Sequence, residues 1–305
     1  MSLLVIGTVA FDAIETPFGK TDKIVGGAAT YAGLAASYFY NDVKIVAVVG
    51  EDFPEEEIAD FNRHHIDTEG LQIKQGEKSF FWSGKYHNDM NSRDTLVTEL
   101  NVLADFDPII PDSYQDCEYL MLGNLTPQVQ QTVINRLKKR PKLIVMDTMN
   151  FWMDIAMDNL LQAIKMVDVL TINDAEARQL SGEYSLVKAA NKILTMGPKY
   201  LIIKKGEHGA LLFHEKHIFS APALPLEEVF DPTGAGDTFA GGFIGYMAKA
   251  GEVNYENMKS AIIYGSALAS FCVEKFGTEK IKGLAADEVK ARVQQFVSLS
   301  HFDIA

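Results

Sequence analysis

Short apolar runs alternating with helix-like stretches constrain this chain more than any other feature. The runs Leu3–Gly7, Val43–Val49, Tyr119–Leu122, Leu143–Asp147, Val169–Ile172 and Tyr200–Lys204 are nearly continuous in Val, Ile, Leu and Met. Strands that apolar need cover on both faces, as in a parallel sheet between helix layers. Between them Ala28–Tyr40, Pro54–His65, Pro127–Lys139, Met153–Lys165 and Leu186–Met196 read as helices. Pro54 and Pro127 suit a first helical turn, where no N–H is needed. Strand-then-helix order predicts an α/β layered fold, and 305 residues supply a large core without disulfides.

One stretch breaks the rhythm. Residues 71–100 are polar and aromatic, punctuated by Gly76 and Asn88–Asn91, and read as antiparallel strands. With about 13–24 they predict a small sheet lid beside a single domain spanning 1–305; an edge hairpin without a role is the plainer alternative. After Asp231 the chain reads as helical over Gly234–Ala250, Asn254–Lys275 and Ala285–Leu299. The net charge of −13 argues against a nucleic-acid partner. Cys117 and Cys272 form no CxxC pair and read as reduced core thiols. The start lacks a basic leader, its apolar stretch is broken by Asp12, and the run Ala261–Val273 is short for a bilayer. A soluble cytoplasmic protein without a membrane partner is the expectation.

Chemistry concentrates in Val229–Met247, VFDPTGAGDTFAGGFIGYM. Gly234, Ala235 and Gly236 lead into an apolar helix and leave room for a ligand against bare backbone. The first N–H groups of such a helix, with the positive end of its dipole, make a site for an anion such as phosphate. Asp237 in that first turn reads either as a catalytic carboxylate or as a helix-capping acid. A dinucleotide fingerprint fails because Phe239 occupies its third glycine position. A P-loop ending at Gly19-Lys20-Thr21 fails because Ile14 stands where its first glycine belongs.

DPTGAGDTFAGGF resembles the C-terminal signature of the PfkB/ribokinase family of sugar and nucleoside kinases. Four other segments resemble family motifs in the right order: Gly7–Asp12, Gly26-Gly27, Asn173-Asp174-Ala175-Glu176 and Lys204–Gly209. The resemblance implies a ribokinase-like three-layer α/β/α sandwich with a mostly parallel central sheet and a small β-sheet lid. It implies transfer of the ATP γ-phosphoryl to a hydroxyl, with Mg²⁺. Asp237 would be the base, beside the N–H groups of the Gly234, Ala235, Gly236 turn. Asp12, Gly26, Gly27 and Thr30 would meet the acceptor. Asn173, Lys204, Gly206 and Gly209 would meet the nucleotide, and Glu176 with Asn173 would hold Mg²⁺ through water. Asp231 and Thr233 stand where parts of the family hold K⁺.

The residues also permit plainer roles. Asn173 and Glu176 match a capping box, Asp12 a turn former, and Lys204 a solvated strand end. Thr30 stands where ribose kinases often carry asparagine, which loosens the match to a ribose substrate; Asn150 and Trp152 lie near a D-x-N-x-R motif that lacks its arginine and receive no firm role. Phe80, Phe81, Trp82 and Tyr86 suit stacking on a ring, lid packing or a dimer contact. The histidines form no metal motif. The expected activity is phosphorylation of a sugar hydroxymethyl group; a nucleoside kinase with an adenosine-like substrate is the alternative, and a non-catalytic sugar or nucleotide sensor the third reading. Exposed lid edges raise the prospect of a homodimer.

Overall fold

In the computed structural model, which describes residues 2–301 and 303, alternate residues of each strand feed two separate cores. Leu3, Val5, Val43, Ile45, Leu143 and Val145 face one; Leu4, Ile6, Val46, Val48, Ile144 and Met146 face the other. That period of two, with every one of these side chains buried, is the mark of a sheet covered on both sides. The sheet has nine strands, ordered His217–Ala221, Ala210–His214, Tyr200–Lys204, Val169–Asn173, Leu143–Asp147, Tyr119–Leu122, Leu3–Ile6, Val43–Gly50 and Ile66–Lys74. All neighbours pair in parallel except the last hairpin, where Tyr200–Lys204, Ala210–His214 and His217–Ala221 run antiparallel.

Helices Ala28–Ser37, Ala235–Ala250 and Tyr255–Cys272 pack one face. Their approach depends on missing side chains. A Cβ on Gly241 would fall 2.2 Å from the Ala32 carbonyl oxygen, and one on Gly265 2.6 Å from that of Phe239. The other face carries Pro127–Arg136, Met157–Ile164, Asp174–Ser181 and Leu186–Leu194. The stretch expected as one helix, Met153–Lys165, is two, Asn150–Ile155 and Met157–Ile164. They are divided at Ala156, whose φ of −144° is not helical.

A second sheet of five strands stands beside the first: Ala10–Thr16, Gly19–Lys20, Ile24–Gly26, Phe81–Tyr86 and Arg93–Glu99. Two expectations need correction. Residues 71–74 belong to the edge of the large sheet, because Leu71–Lys74 continues the parallel pairing of Val43–Gly50 with Ile66–Lys74. The segment Gly7–Asp12, which the resemblance implies closes the first strand on an acid, lies beyond it: that strand ends at Ile6, and Asp12 belongs to the small-sheet strand Ala10–Thr16. The polar alternation of Ile66–Lys74 hides its allegiance, since only one of its faces is covered. Among the described residues no helix is long and apolar enough to cross a membrane. Cys117 and Cys272 are buried free thiols.

Candidate active site

The parallel strands deliver three polar residues at their carboxyl ends: Asp147, Asn173 and Lys204, the last two register partners. Ligands favour that edge of an open α/β sheet. Helix Ala235–Ala250 begins beside it. Its N-cap, Gly234, has φ 75°, and a Cβ there would fall 2.4 Å from the Tyr31 ring, so only glycine fits both the turn and the space. Ala235 follows, its N–H donated to the Pro232 carbonyl at 3.2 Å, and then Gly236, which carries no side chain. A Cβ on Gly236 would lie 3.2 Å from Lys204 Nζ, which places the ammonium over the start of the helix. The helix dipole and the lysine therefore converge on one anion-sized space.

Lys204 is not a solvated strand end. Its side chain is 19% exposed and its Nζ meets Asp147 Oδ2 at 2.8 Å. Burial opposes its charge, but Asp147 and Glu176 outweigh that and hold it protonated. Asp237, half-buried in the first turn of the helix, is raised to about 7, chiefly by desolvation and then by Asp147; Lys204 and Arg93 pull the other way. Asp12 is also raised to about 7, by burial first and by the fields of Asp231 and Asp237 next. Its carboxylate crosses in front of Gly26, where a Cβ would fall 1.9 Å from Oδ2. Gly27, with φ 96°, turns the chain into helix Ala28–Ser37, whose first N–H groups are taken by Thr8 Oγ1 and the Thr8 carbonyl at 2.9 Å each.

Not every expected residue faces the site. Thr30 is fully buried, and its hydroxyl donates to the Gly26 carbonyl at 2.7 Å. It braces the glycine pair from beneath and offers nothing to an acceptor. Asn173 and Glu176 form the capping box in full: Asn173 Oδ1 accepts the Glu176 N–H and Glu176 Oε2 accepts the Asn173 N–H, both at 2.8 Å. One Glu176 oxygen remains outside that exchange, and burial followed by Asp147 raises the carboxyl to about 7. Asp231, fully buried, accepts the N–H groups of Thr233 and Gly277 at 2.8 Å on its two oxygens. The Thr233 hydroxyl donates to Tyr86 at 3.2 Å. Asp231 and Thr233, which stand where parts of the family hold K⁺, brace the loop ahead of the glycine turn.

Two residues escaped the sequence reading. Asp147 lay inside a segment noted for Asn150 and Trp152; the structure instead gives Trp152 Nε1 to Asn124 at 2.8 Å and puts Asp147 on Lys204. Arg93 enters from the small sheet. It donates to the Tyr86 hydroxyl at 3.4 Å, lies 5.5 Å from the Trp82 ring centre, and its field lowers Asp12, Glu176 and Asp237. Tyr86 is almost fully buried between these partners, so it packs the small sheet against the glycine loop and is no stacking platform. No local pattern marks a lone arginine after Asn91-Ser92; only folding the small sheet over the strand ends brings it near three acids.

A cavity of about 450 Å³ opens from this point. Lys204, Gly206, Gly209, Ala235 and Gly236 line one end. Apolar residues including Leu226, Phe239 and Val273 line the rest. An anionic head against the helix start and a flat apolar body beyond it is the shape of a nucleotide. Among the described residues no group of three or more His, Cys, Asp or Glu side chains is placed to hold a metal ion. The oxygens at hand, Glu176 and Asp147, suit Mg²⁺, which keeps its waters and leans on phosphate oxygens more than on a protein cage.

The chain matches the model of the pfkB family carbohydrate kinases over residues 2–282. It is 33% identical over 248 residues to a cytidine kinase of Thermococcus kodakarensis, covering 80% of this chain and 87% of that one. In structure it resembles a putative ribokinase II from E. coli, with TM-score 0.81 at 19% identity over 96% of this chain and 99% of that one. A Burkholderia thailandensis nucleoside kinase solved with inosine gives TM-score 0.79 at 17% identity, covering 97% and 99%. The chain belongs to the pfkB carbohydrate kinase family and is a phosphotransferase that uses ATP and Mg²⁺ and a hydroxyl acceptor.

Proposed function

We propose that this protein phosphorylates the 5′-hydroxymethyl group of a nucleoside, with a pyrimidine nucleoside such as cytidine the first to test. One observation carries the chemistry. Asp237 stands in the first turn of a helix entered through Gly234 and Gly236, with Lys204 over the same space and Asp12 within electrostatic reach. The 33% relation to a cytidine kinase favours a nucleoside over the free sugar. So does Trp82, an aromatic ring on the small sheet that Arg93 holds in place.

In this reading Asp12 accepts hydroxyl protons from the ribose, and Gly26 leaves room for its carboxylate to do so. Asp237 takes the proton of the attacking hydroxyl. The alcohol oxygen bonds to the γ-phosphorus, the bond from that phosphorus to the bridging oxygen breaks, and ADP leaves with the electron pair. The N–H groups of Gly236 and Asp237, with Lys204 and Arg93, meet the charge spread over the travelling phosphoryl oxygens. Positioning of this kind, not covalent chemistry, is what phosphoryl transfer asks of a protein. Glu176 and Asp147 would hold Mg²⁺ through its waters beside the nucleotide, and the ion would supply neutralising charge to the phosphates. Asp147 keeps Lys204 aimed at the helix start.

Side-by-side assays of ADP release with Mg·ATP and cytidine, adenosine, inosine, ribose or fructose test the assignment. Nucleoside turnover exceeding that of both free sugars is expected; turnover with ribose or fructose alone overturns it. The sensor reading is opposed by Asp237, Asn173 and Glu176 all standing in place.

A further inference from the structure

The turn between strands Phe81–Tyr86 and Arg93–Glu99 does not end in solvent. Asp89, Met90 and Asn91 line the 450 Å³ cavity together with the Lys204–Gly209 segment and the start of helix Ala235–Ala250. Asn91 Oδ1 lies 2.9 Å from where a Cβ on Gly206 would be, so the turn rests on the Gly206–His208 turn of the large domain. Met90 is the half-buried residue of a tip whose neighbours are exposed. The tip is held in shape from within. Asp89 Oδ1 accepts the Asn91 and Ser92 N–H groups at 3.1 and 2.9 Å, and its other oxygen accepts the Ser92 hydroxyl at 2.6 Å. His87 and Asp94 meet at 2.9 Å across its base.

We propose that Met90 and Asn91 form a wall of the donor-nucleotide site, so that one hairpin closes over both substrates. The inference rests on the kinase reading of the cavity and goes beyond it by giving the small sheet a donor-side role. Arg93, two residues from the tip, serves the acids of the transfer centre, while Met90 covers apolar surface of the bound nucleoside diphosphate and Asn91 offers its amide to the polar edge. Asp89 is not offered to the nucleotide: both its oxygens are engaged within the turn, and a free carboxylate there would repel phosphates. A hairpin that touches donor and acceptor lets each ligand favour the closed position needed by the other.

The test is calorimetric titration of the full chain with Mg·ADP, comparing wild type with a Met90→Ala/Asn91→Ala double variant that keeps the three bonds to the Asp89 carboxylate and gives up the Asn91 Nδ2 bond to the Asp89 carbonyl at 3.1 Å. The variant is expected to bind Mg·ADP about fivefold or more weakly, the loss of a modest apolar and polar contact. Its thermal midpoint without ligands should stay close to wild type, which a merely structural role would not allow. Mg·ADP affinity within twofold of wild type overturns the inference, as does failure of the wild type to bind Mg·ADP. Failure of cytidine as an acceptor, with the Mg·ADP difference intact, would sink only the nucleoside assignment.

Discussion

Gly236→Ala separates a phosphoryl site from a packing site more cleanly than removal of any charge. The new methyl group would sit 3.2 Å from Lys204 Nζ and 4.0 Å from its Cε, and nothing else lies within 4 Å. The only neighbour is the end of a flexible side chain, so the fold can absorb the change. Alanine in place of glycine near a helix start favours the helix by up to about 1 kcal/mol, roughly 2 °C in a domain this large. Stability should therefore hold or rise slightly. The methyl would stand in the space assigned to the phosphoryl oxygens and push the ammonium aside. Loss of one such donor position costs about 10²–10³ in rate, and kcat/KM should fall by that much in a coupled ADP-release assay. Gly241→Ala is the contrasting variant: its methyl would meet the Ala32 backbone oxygen at 2.2 Å, which nothing flexible relieves. It should lower the melting temperature, with activity falling in step with unfolding. A Gly236→Ala enzyme as active as wild type would refute the claim that the turn holds the migrating group.

Asp237→Asn should lose about 10²–10⁴ in kcat, the span typical of a positioned general base, while still binding Mg·ADP; activity above a tenth of wild type would count against the base. The wild-type rate should fall as pH drops below about 7, where Asp237 protonates. Arg93 lowers Asp237, Asp12 and Glu176, so Arg93→Ala should move that limb to higher pH, and an unmoved limb would remove Arg93 from the site. Without ligands, the raised carboxyls of Asp12, Glu176 and Asp237 contribute stability that is complete below their unfolded values near 4 and is lost as pH rises through about 7. The melting temperature of the free protein should thus decline from pH 5 to 8, and Asp12→Asn should flatten the decline. Strand Arg93–Glu99 is an exposed sheet edge carrying Leu96 at 55% and Val97 at 40% exposure, which invites pairing across a two-fold axis. Light scattering should give twice 33.7 kDa, falling to one chain in Leu96→Lys; a single-chain mass in the wild type removes the dimer.

What the sequence displayed was whatever one element encodes by itself. Buried strands such as Val43–Gly50 and Leu143–Asp147 announce themselves because apolarity on both faces needs no partner to be read. The glycine turn before Asp237 is equally local. Residues 71–74 were misplaced because an edge strand covered on one face alternates like a lid strand, and its allegiance is decided by pairing with Val43–Gly50, twenty-odd residues away. Thr30 was read as a contact from its place in the family motif; its hydroxyl instead donates to the Gly26 carbonyl beside the turn that Gly27 makes. Asp147 and Arg93 belong to the site only after distant segments meet, so no spacing rule could have found them.

The same folding leaves a surplus of negative charge at the strand ends. Asp12, Asp147, Glu176, Asp231 and Asp237 crowd a region whose nearby cations are Lys204 and Arg93. A protein built for stability alone would not gather these acids, since each buried carboxylate pays desolvation that few of its neighbours relieve. The arrangement makes sense if the balance arrives with the substrates. A nucleotide carried with Mg²⁺ brings a divalent charge to Glu176 and Asp147, and ribose hydroxyls supply donors to Asp12. Lys204, already clamped by Asp147 over the helix start, is then free to serve the phosphates without itself having to be neutralised. The acids that weaken the empty protein are the ones that the loaded protein uses, and the site's own charge selects for ligands that arrive together.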